Sequence, residues 1–147
     1  MHIFPRIKLP AKIENLEYLI EFVSDCANKQ GIDRKRIIEI EISTEEALVN
    51  IFNYAYQNVD GDVAIICKSD ENNKFVIEIE DSGVPFNLLS LKEPDTTLDI
   101  SERNVGGLGI FLMRKLMDDV QYKRKEDRNV LTMVTSKSHT DKNNPDN

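Results

Sequence analysis

Hydrophobic spacing divides the chain into an extended start, two long helices, a hairpin, a third helix and a second hairpin. Ile3, Phe4, Ile7 and Leu9 form a short extended run that Pro10 stops. Residues 11–30 then carry Ile13, Leu16, Ile20, Val23 and Ala27 at spacings of three and four, one apolar stripe of an amphipathic helix closed by Gly31. Asp33 is placed to cap a second helix over 34–57. Its spacing assigns the stripe to Ile38, Ile42, Val49 and Tyr56, widened by Leu48 and Phe52. Ile40, Ala47 and Ile51 fall on other faces, so broad burial is expected.

The period then drops to two. Residues 62–69 read as a strand, Asp70–Asn73 as a hairpin turn, and 74–81 alternates cleanly. After a long polar stretch, Ile110, Met113 and Met117 restore helical spacing over 107–117. Strands over 119–125 and 129–137 are joined at Glu126-Asp127-Arg128, and the polar tail 138–147 is expected to be disordered. Helices followed by hairpin-linked strands predict an α+β fold. The expected form is a two-layer sandwich with helices on one face of a mostly antiparallel, mixed sheet, occupying residues 1–137.

Composition narrows the function. At 147 residues and 40% hydrophobic content the chain is one domain able to bury a core without disulfides or a structural metal. Nineteen Lys plus Arg against 26 Asp plus Glu give a net charge of −7, which argues against direct nucleic-acid binding. No apolar run reaches the roughly 18 residues of a spanning helix, and the start MHIFPRIKLP has no secretory core. A bacterial cytoplasmic protein with no membrane partner is expected. Cys26 and Cys67 lack metal or redox spacing and read as reduced core thiols.

Three segments carry candidate chemistry. On a helix, Glu46, Asn50 and Asn53 lie at i, i+4 and i+7, a polar strip in apolar surroundings. A partly buried carboxylate and carboxamide need partners, which a hydrated cation with phosphate would supply; a solvated helix edge is the plainer alternative. In the second segment the parity of Phe75, Ile77 and Ile79 turns Asp81 inward ahead of the turn Ser82-Gly83-Val84-Pro85. There it either caps backbone or accepts a hydrogen bond from a purine amino group. Third, Gly106-Gly107-Leu108-Gly109 opens the helix Ile110–Met117, where unpaired amides can hold an anion.

In order and spacing, Glu46-x-x-x-Asn50, Asp81-x-Gly83 and Gly107-x-Gly109 resemble the asparagine box and two glycine boxes of the GHKL (Bergerat-fold) ATPase superfamily. Within it, the chain is most similar to the small anti-sigma-factor serine/threonine kinases of bacteria, over residues 5–136. The resemblance implies ATP and Mg²⁺ as cofactors. It makes Glu46 the catalytic general base, Asn50 the Mg²⁺ ligand and Asp81 the adenine reader, with Gly83 letting the backbone approach the base. Thr132 supports the adenine site, and Gly106, Gly107, Leu108 and Gly109 cradle phosphate. Asn53 and Arg103 complete the nucleotide-binding set, and Asn87–Val105 becomes a mobile lid over ATP. The implied partners are a small STAS-like antagonist (anti-anti-sigma) protein, phosphorylated on serine, and a sigma factor, with a homodimer left open. The chain departs from the kinase pattern at Asn53-Tyr54 and Val105, where relatives often carry cations. A non-catalytic ATP-binding regulator and a detached histidine-kinase-like ATPase domain therefore stay open.

Overall fold

In the computed structural model, residues 4–57, 59–90 and 105–138 are described, with side chains of the last stretch from Ile110 onward. The elements are β1 (Arg6–Pro10), α1 (Leu16–Lys29), α2 (Arg34–Tyr54), β2 (Asp62–Ser69), β3 (Phe75–Asp81), α3 (Val105–Leu116), β4 (Asp119–Lys125) and β5 (Arg128–Thr135). Short 3₁₀ turns lie at Ile13–Asn15 and Leu88–Ser90. The sheet order is β1-β2-β3-β5-β4. All four pairings are antiparallel, so the expected mixed sheet contains no parallel pair among the described strands.

Alternation decides which side of the sheet is covered. Val63, Ile65 and Cys67 of β2, Phe75, Ile77 and Ile79 of β3, and Leu131 and Met133 of β5 face the helices and are buried. Asp81 shares that parity and is 5% exposed. Cys26 and Cys67 are both free, buried thiols in this core. No helix among the described residues is long and apolar enough to cross a membrane.

Two expected helix faces differ in the structure. The first helix begins at Leu16 rather than at residue 11, because Ile13–Asn15 form a 3₁₀ turn that leaves Ile13 exposed. Its buried face centres on Leu19, Val23, Cys26 and Ala27. Gly31 ends it with φ +76°, a left-handed conformation glycine adopts without strain, as Ile32 N–H returns to the Ala27 carbonyl. In α2 the stripe is reversed. Ile37, Ile40, Thr44, Ala47, Leu48 and Ile51 form the buried face, whereas Ile38 and Ile42 are 46% and 42% exposed. Apolar residues surround this helix, and its buried face also takes Ser43, Thr44 and Asn50, so hydrophobic spacing alone selects the outer side.

Asp33 caps α2 as expected, its carboxylate accepting from Arg36 N–H at 2.8 Å. Arg36 itself is completely buried. Its guanidinium donates to the Leu116 carbonyl at the end of α3 (3.0 Å) and to Ser136 Oγ (3.0 Å), and pairs with Glu39 (3.1 Å) and Asp118 (3.5 Å). One end of α2 is thereby joined to the opposite end of α3. A parallel α3 would run off beyond the start of α2, so two helices packed along their length must be antiparallel. The amino-terminal turn of α3 then lies beside the second half of α2.

Truncating Arg36 leaves two carboxylates and a helix-end carbonyl short of their cation. Arg36→Ala is expected to cost about 3–5 kcal/mol of stability, measured by urea denaturation, because a buried charge pair loses one partner. Replacement by Met, which restores bulk without charge, recovers only part of that loss.

Candidate functional site

Glu46 and Asn50 are one turn apart on α2 and bonded to each other. Asn50 Nδ2 donates to Glu46 Oε1 at 2.7 Å and to the Glu46 carbonyl at 2.8 Å, so both of its amide protons are engaged. Its Oδ1 accepts nothing from the described residues, although the residue is only 2% exposed. Glu46 is half-buried, and burial pushes its carboxyl above the usual range; the Asn50 amide opposes this, and the neighbouring Glu45 charge adds to it. Asn53 lies further along the strip and is exposed.

The antiparallel α2–α3 pair brings a second element to this strip. With Leu116 held at Arg36, the start of α3 lies about 16 Å from that anchor at 1.5 Å per residue, as far as Ala47 lies along α2, against which α3 packs. Gly106, Gly107, Leu108 and Gly109 belong to α3 itself rather than to a loop before it. Amides in the first turn have no acceptor within the helix, and the macrodipole adds partial positive charge there. Arg103 and most of the expected lid, 91–104, lie outside the described residues, as does the tail from 139.

Asp81 is fixed by a network centred on Asn129, its register partner on β5. Asp81 Oδ1 accepts from Gly83 N–H (2.9 Å) and Asn129 Nδ2 (2.8 Å), and Nδ2 also donates to the Val84 carbonyl (2.8 Å). Asn129 Oδ1 receives Tyr122 Oη (2.6 Å), Phe86 N–H (3.2 Å) and Arg124 (3.2 Å). Arg124 also donates to the Gly83 carbonyl at 2.9 Å. Burial pushes the Asp81 carboxyl up, while Asn129, Gly83 and the Arg124 charge pull it down. Both sequence readings of Asp81 have a place here. Oδ1 caps the turn, and Oδ2 accepts nothing from the described residues.

Two expectations change at this point. Gly83 is required by protein packing: a Cβ there would lie 2.2 Å from the Ala55 carbonyl oxygen, where Val84 N–H bonds at 3.0 Å. Thr132 is not brought to Asp81. It pairs with Glu78 and Gln121 and shares the parity of Arg128, Val130 and Val134, which points to the uncovered face of the sheet. Asn129 stands beside Asp81 instead. The sequence reading missed it, although its parity with Leu131 and Met133 is the signal that exposed Asp81.

Asp81, Asn129 and Tyr122 are the polar part of a narrow crevice between α2 and the sheet, closed to about 10 Å³ and walled by Ile51, Ile79, Phe86, Leu88 and Leu131. The Phe86 ring packs against Tyr54, centroids 5.1 Å apart. Apolar walls with one carboxylate match a purine in chemistry, and admitting one requires the crevice to widen. A wider groove of about 330 Å³ on the uncovered side mixes Arg6, Lys8 and Arg128 with Asp60, Asp62 and Glu80, and has no excess of cations for phosphate. The donor set on the helix side fits a nucleotide with Mg²⁺, since that ion takes one or two protein oxygens and completes its shell with phosphate and water. Asn50 Oδ1 and the α3 amides would supply the protein's share.

The antiparallel sheet under helices on one face is the architecture of a histidine kinase-like ATPase domain. Residues 9–135 match the family model described as histidine kinase-like ATPase domain, and the chain belongs to that family. It is 33% identical over 129 residues to serine-protein kinase RsbW of Bacillus thuringiensis (strain Al Hakam), covering 85% of this chain and 80% of the relative. The match to serine-protein kinase RsbW of Bacillus anthracis has the same identity and coverage. Among solved structures, the RsbU and RsbW domains of a Mycobacterium tuberculosis protein align with TM-score 0.62 at 12% identity, over 90% of this chain and 32% of that one. The histidine kinase domain of a blue-light activated kinase from Erythrobacter litoralis aligns with TM-score 0.55 at 14% identity, over 81% of this chain and 61% of that one. These two likenesses establish the fold.

The raised Glu46 carboxyl has a measurable consequence. The folded state binds its proton more tightly than the unfolded state, so this group's contribution to stability falls as pH rises through the interval between the two. Glu46→Gln keeps the acceptor for Asn50 without the charge. It is expected to be more stable than wild type at neutral pH, and the difference should vanish near about pH 4, where ordinary glutamates protonate. Thermal denaturation across that range checks the sign.

Proposed function

We propose that this protein is a Mg-ATP-dependent serine/threonine kinase acting as an anti-sigma factor, with a small antagonist protein as its serine-bearing substrate. The observation that carries the reading is the Glu46–Asn50 couple. Asn50 holds one oxygen of Glu46, and neither its own Oδ1 nor the second Glu46 oxygen accepts from the described residues, which leaves the latter for a substrate hydroxyl. The similarity to serine-protein kinases RsbW supports the same activity.

In the proposed reaction a serine hydroxyl approaches Glu46, whose raised carboxyl suits proton acceptance nearer neutrality. As the serine oxygen bonds to the γ-phosphorus, the bond from that phosphorus to the bridging oxygen breaks. ADP leaves, and the serine proton passes to Glu46. Asn50 would help hold Mg²⁺, which when bound would supply charge neutralisation of the triphosphate. Asn50 orients that charge, the first turn of α3 donates amides to phosphate, and Asp81 holds the base.

A second reading, ATP binding without transfer, draws on Asn53 and Tyr54. They place an exposed amide and a ring stacked on Phe86 where relatives often carry a cation. Phosphoryl transfer depends heavily on charge neutralisation, so this difference bears on rate more than on binding.

Mutagenesis separates the two. Asp81→Asn is expected to weaken ATP binding by about 1.5–3 kcal/mol, the worth of a charge-assisted hydrogen bond in a desolvated site, with the fold intact by circular dichroism. Asn50→Ala should weaken Mg-ATP binding and transfer together. Glu46→Gln should bind ATP normally and transfer radiolabel to a serine-bearing antagonist about 10²–10⁴-fold more slowly. Transfer at the wild-type rate by Glu46→Gln removes the general-base role. Wild-type protein that binds ATP but labels no antagonist establishes the non-catalytic reading.

A further inference from the structure

We infer that Asn129 sets the base specificity of the crevice: by engaging Oδ1 of Asp81 it leaves Oδ2 as the one acceptor, selecting a purine with an exocyclic amino group over one with a carbonyl there. The inference rests on the nucleotide-binding reading above and adds a positioning residue to it.

The carboxamide has only one workable orientation. Its oxygen faces three donors, from Tyr122, Phe86 and Arg124, and its nitrogen faces two acceptors, Asp81 Oδ1 and the Val84 carbonyl. Flipping the amide would set oxygen against both acceptors and nitrogen against Phe86 N–H and Arg124, neither of which can accept; the Tyr122 hydroxyl alone could adjust. Asn129 is 4% exposed, so solvent cannot relieve such a mismatch. With Gly83 N–H also on Oδ1, that oxygen has two donors and Asp81 cannot rotate without breaking both. The base must therefore meet Oδ2, and only as a donor.

Without Asn129 this selection weakens in a defined direction. Asp81 loses a donor that favours its ionised form while its burial remains, so its carboxyl moves further up. A protonated carboxyl can donate to a ring carbonyl, which the ionised form rejects. The other titratable groups near Asp81 are Tyr56 beyond the end of α2, Asp62 on β2, and Tyr122 and Arg124 on β4; Glu80 and Arg128 pair with each other at 3.2 Å. Arg124 is the cation whose charge acts on Asp81, and it remains in the variants below.

The test is calorimetric titration of the whole chain with Mg-ATP and Mg-ITP, which differ in that exocyclic group, from acid to neutral pH. Wild type should prefer ATP. Asn129→Ala should lose about tenfold in ATP affinity with ITP affinity changed less than about twofold, the loss of one hydrogen bond to a charged acceptor. The pH below which ATP binding fails should also rise in that variant. Asn129→Thr, which restores a hydroxyl donor, should recover part of the preference. If Asn129→Ala unfolds by circular dichroism, Tyr122→Phe takes its place, since it removes only a hydroxyl that orients the carboxamide and should shift the ATP-to-ITP ratio in the same direction. Equal loss of both nucleotides with an unmoved pH dependence would overturn the inference and leave Asn129 a structural tie. Wild-type protein that binds neither nucleotide would overturn the nucleotide reading itself, and the inference with it.

Discussion

Arg36 determines where the nucleotide-facing elements lie. Burying a guanidinium is costly unless every side of it is met. Here the Leu116 carbonyl, Ser136, Glu39 and Asp118 meet its two terminal nitrogens from α3, the end of the sheet and α2's own next turn, while Nε has no hydrogen-bond partner among the described residues. Joining the start of α2 to the end of α3 forces the two helices antiparallel. The glycine-rich turn of α3 is then the end of that helix remote from Arg36, as Glu46 and Asn50 are remote from it along α2. Asp118 is shared with Lys74 at 3.4 Å and with Ser136 N–H at 2.8 Å, so the same charges also hold the β2–β3 hairpin end to β5.

At the other end of the sheet a neutral group has the corresponding task. Asn129 gathers β5, β4 and the turn after β3 into one hydrogen-bonded unit through Asp81, Val84, Phe86, Tyr122 and Arg124. An amide suits the position because the acceptors lie on one side and the donors on the other. Gly83 tightens the unit from below, since its missing side chain lets the turn rest on the Ala55 carbonyl. The crevice is therefore shaped mainly by contacts within the chain, with Asp81 Oδ2 accepting nothing from the described residues.

Legibility in the sequence followed the strength of the local pattern. The β-hairpins, the Asp33 cap and the inward turn of Asp81 were readable because a period of two on a half-covered sheet has one solution. The buried face of α2 was not, because hydrophobic residues lie all round it and the helix buries Ser43, Thr44, Asn50 and Arg36. A hydrophobic count gives such residues no weight. Arg36 and Asn129 act through partners up to a hundred positions away, as between Arg36 and Ser136, and no local spacing encodes that. Thr132 came from the resemblance alone; one step along a strand reverses the face, and its parity sets it opposite to Asn129, the register partner of Asp81.

The same geometry explains why the candidate site works against the stability of the fold. Glu46 and Asp81 are both pushed up by burial, so each favours the folded state less as pH rises toward neutrality. The hydrogen bonds from Asn50 and from Asn129 with Gly83 oppose that penalty, each on one carboxylate oxygen. A fold selected only for stability would put neutral side chains at both positions, or engage both oxygens. Among the described residues nothing donates to the second oxygen of either carboxylate, so part of the desolvation cost stays in place until further donors meet it. Two such half-satisfied carboxylates, one on α2 beside the start of α3 and one in the crevice, are what a bound nucleotide and its acceptor would complete.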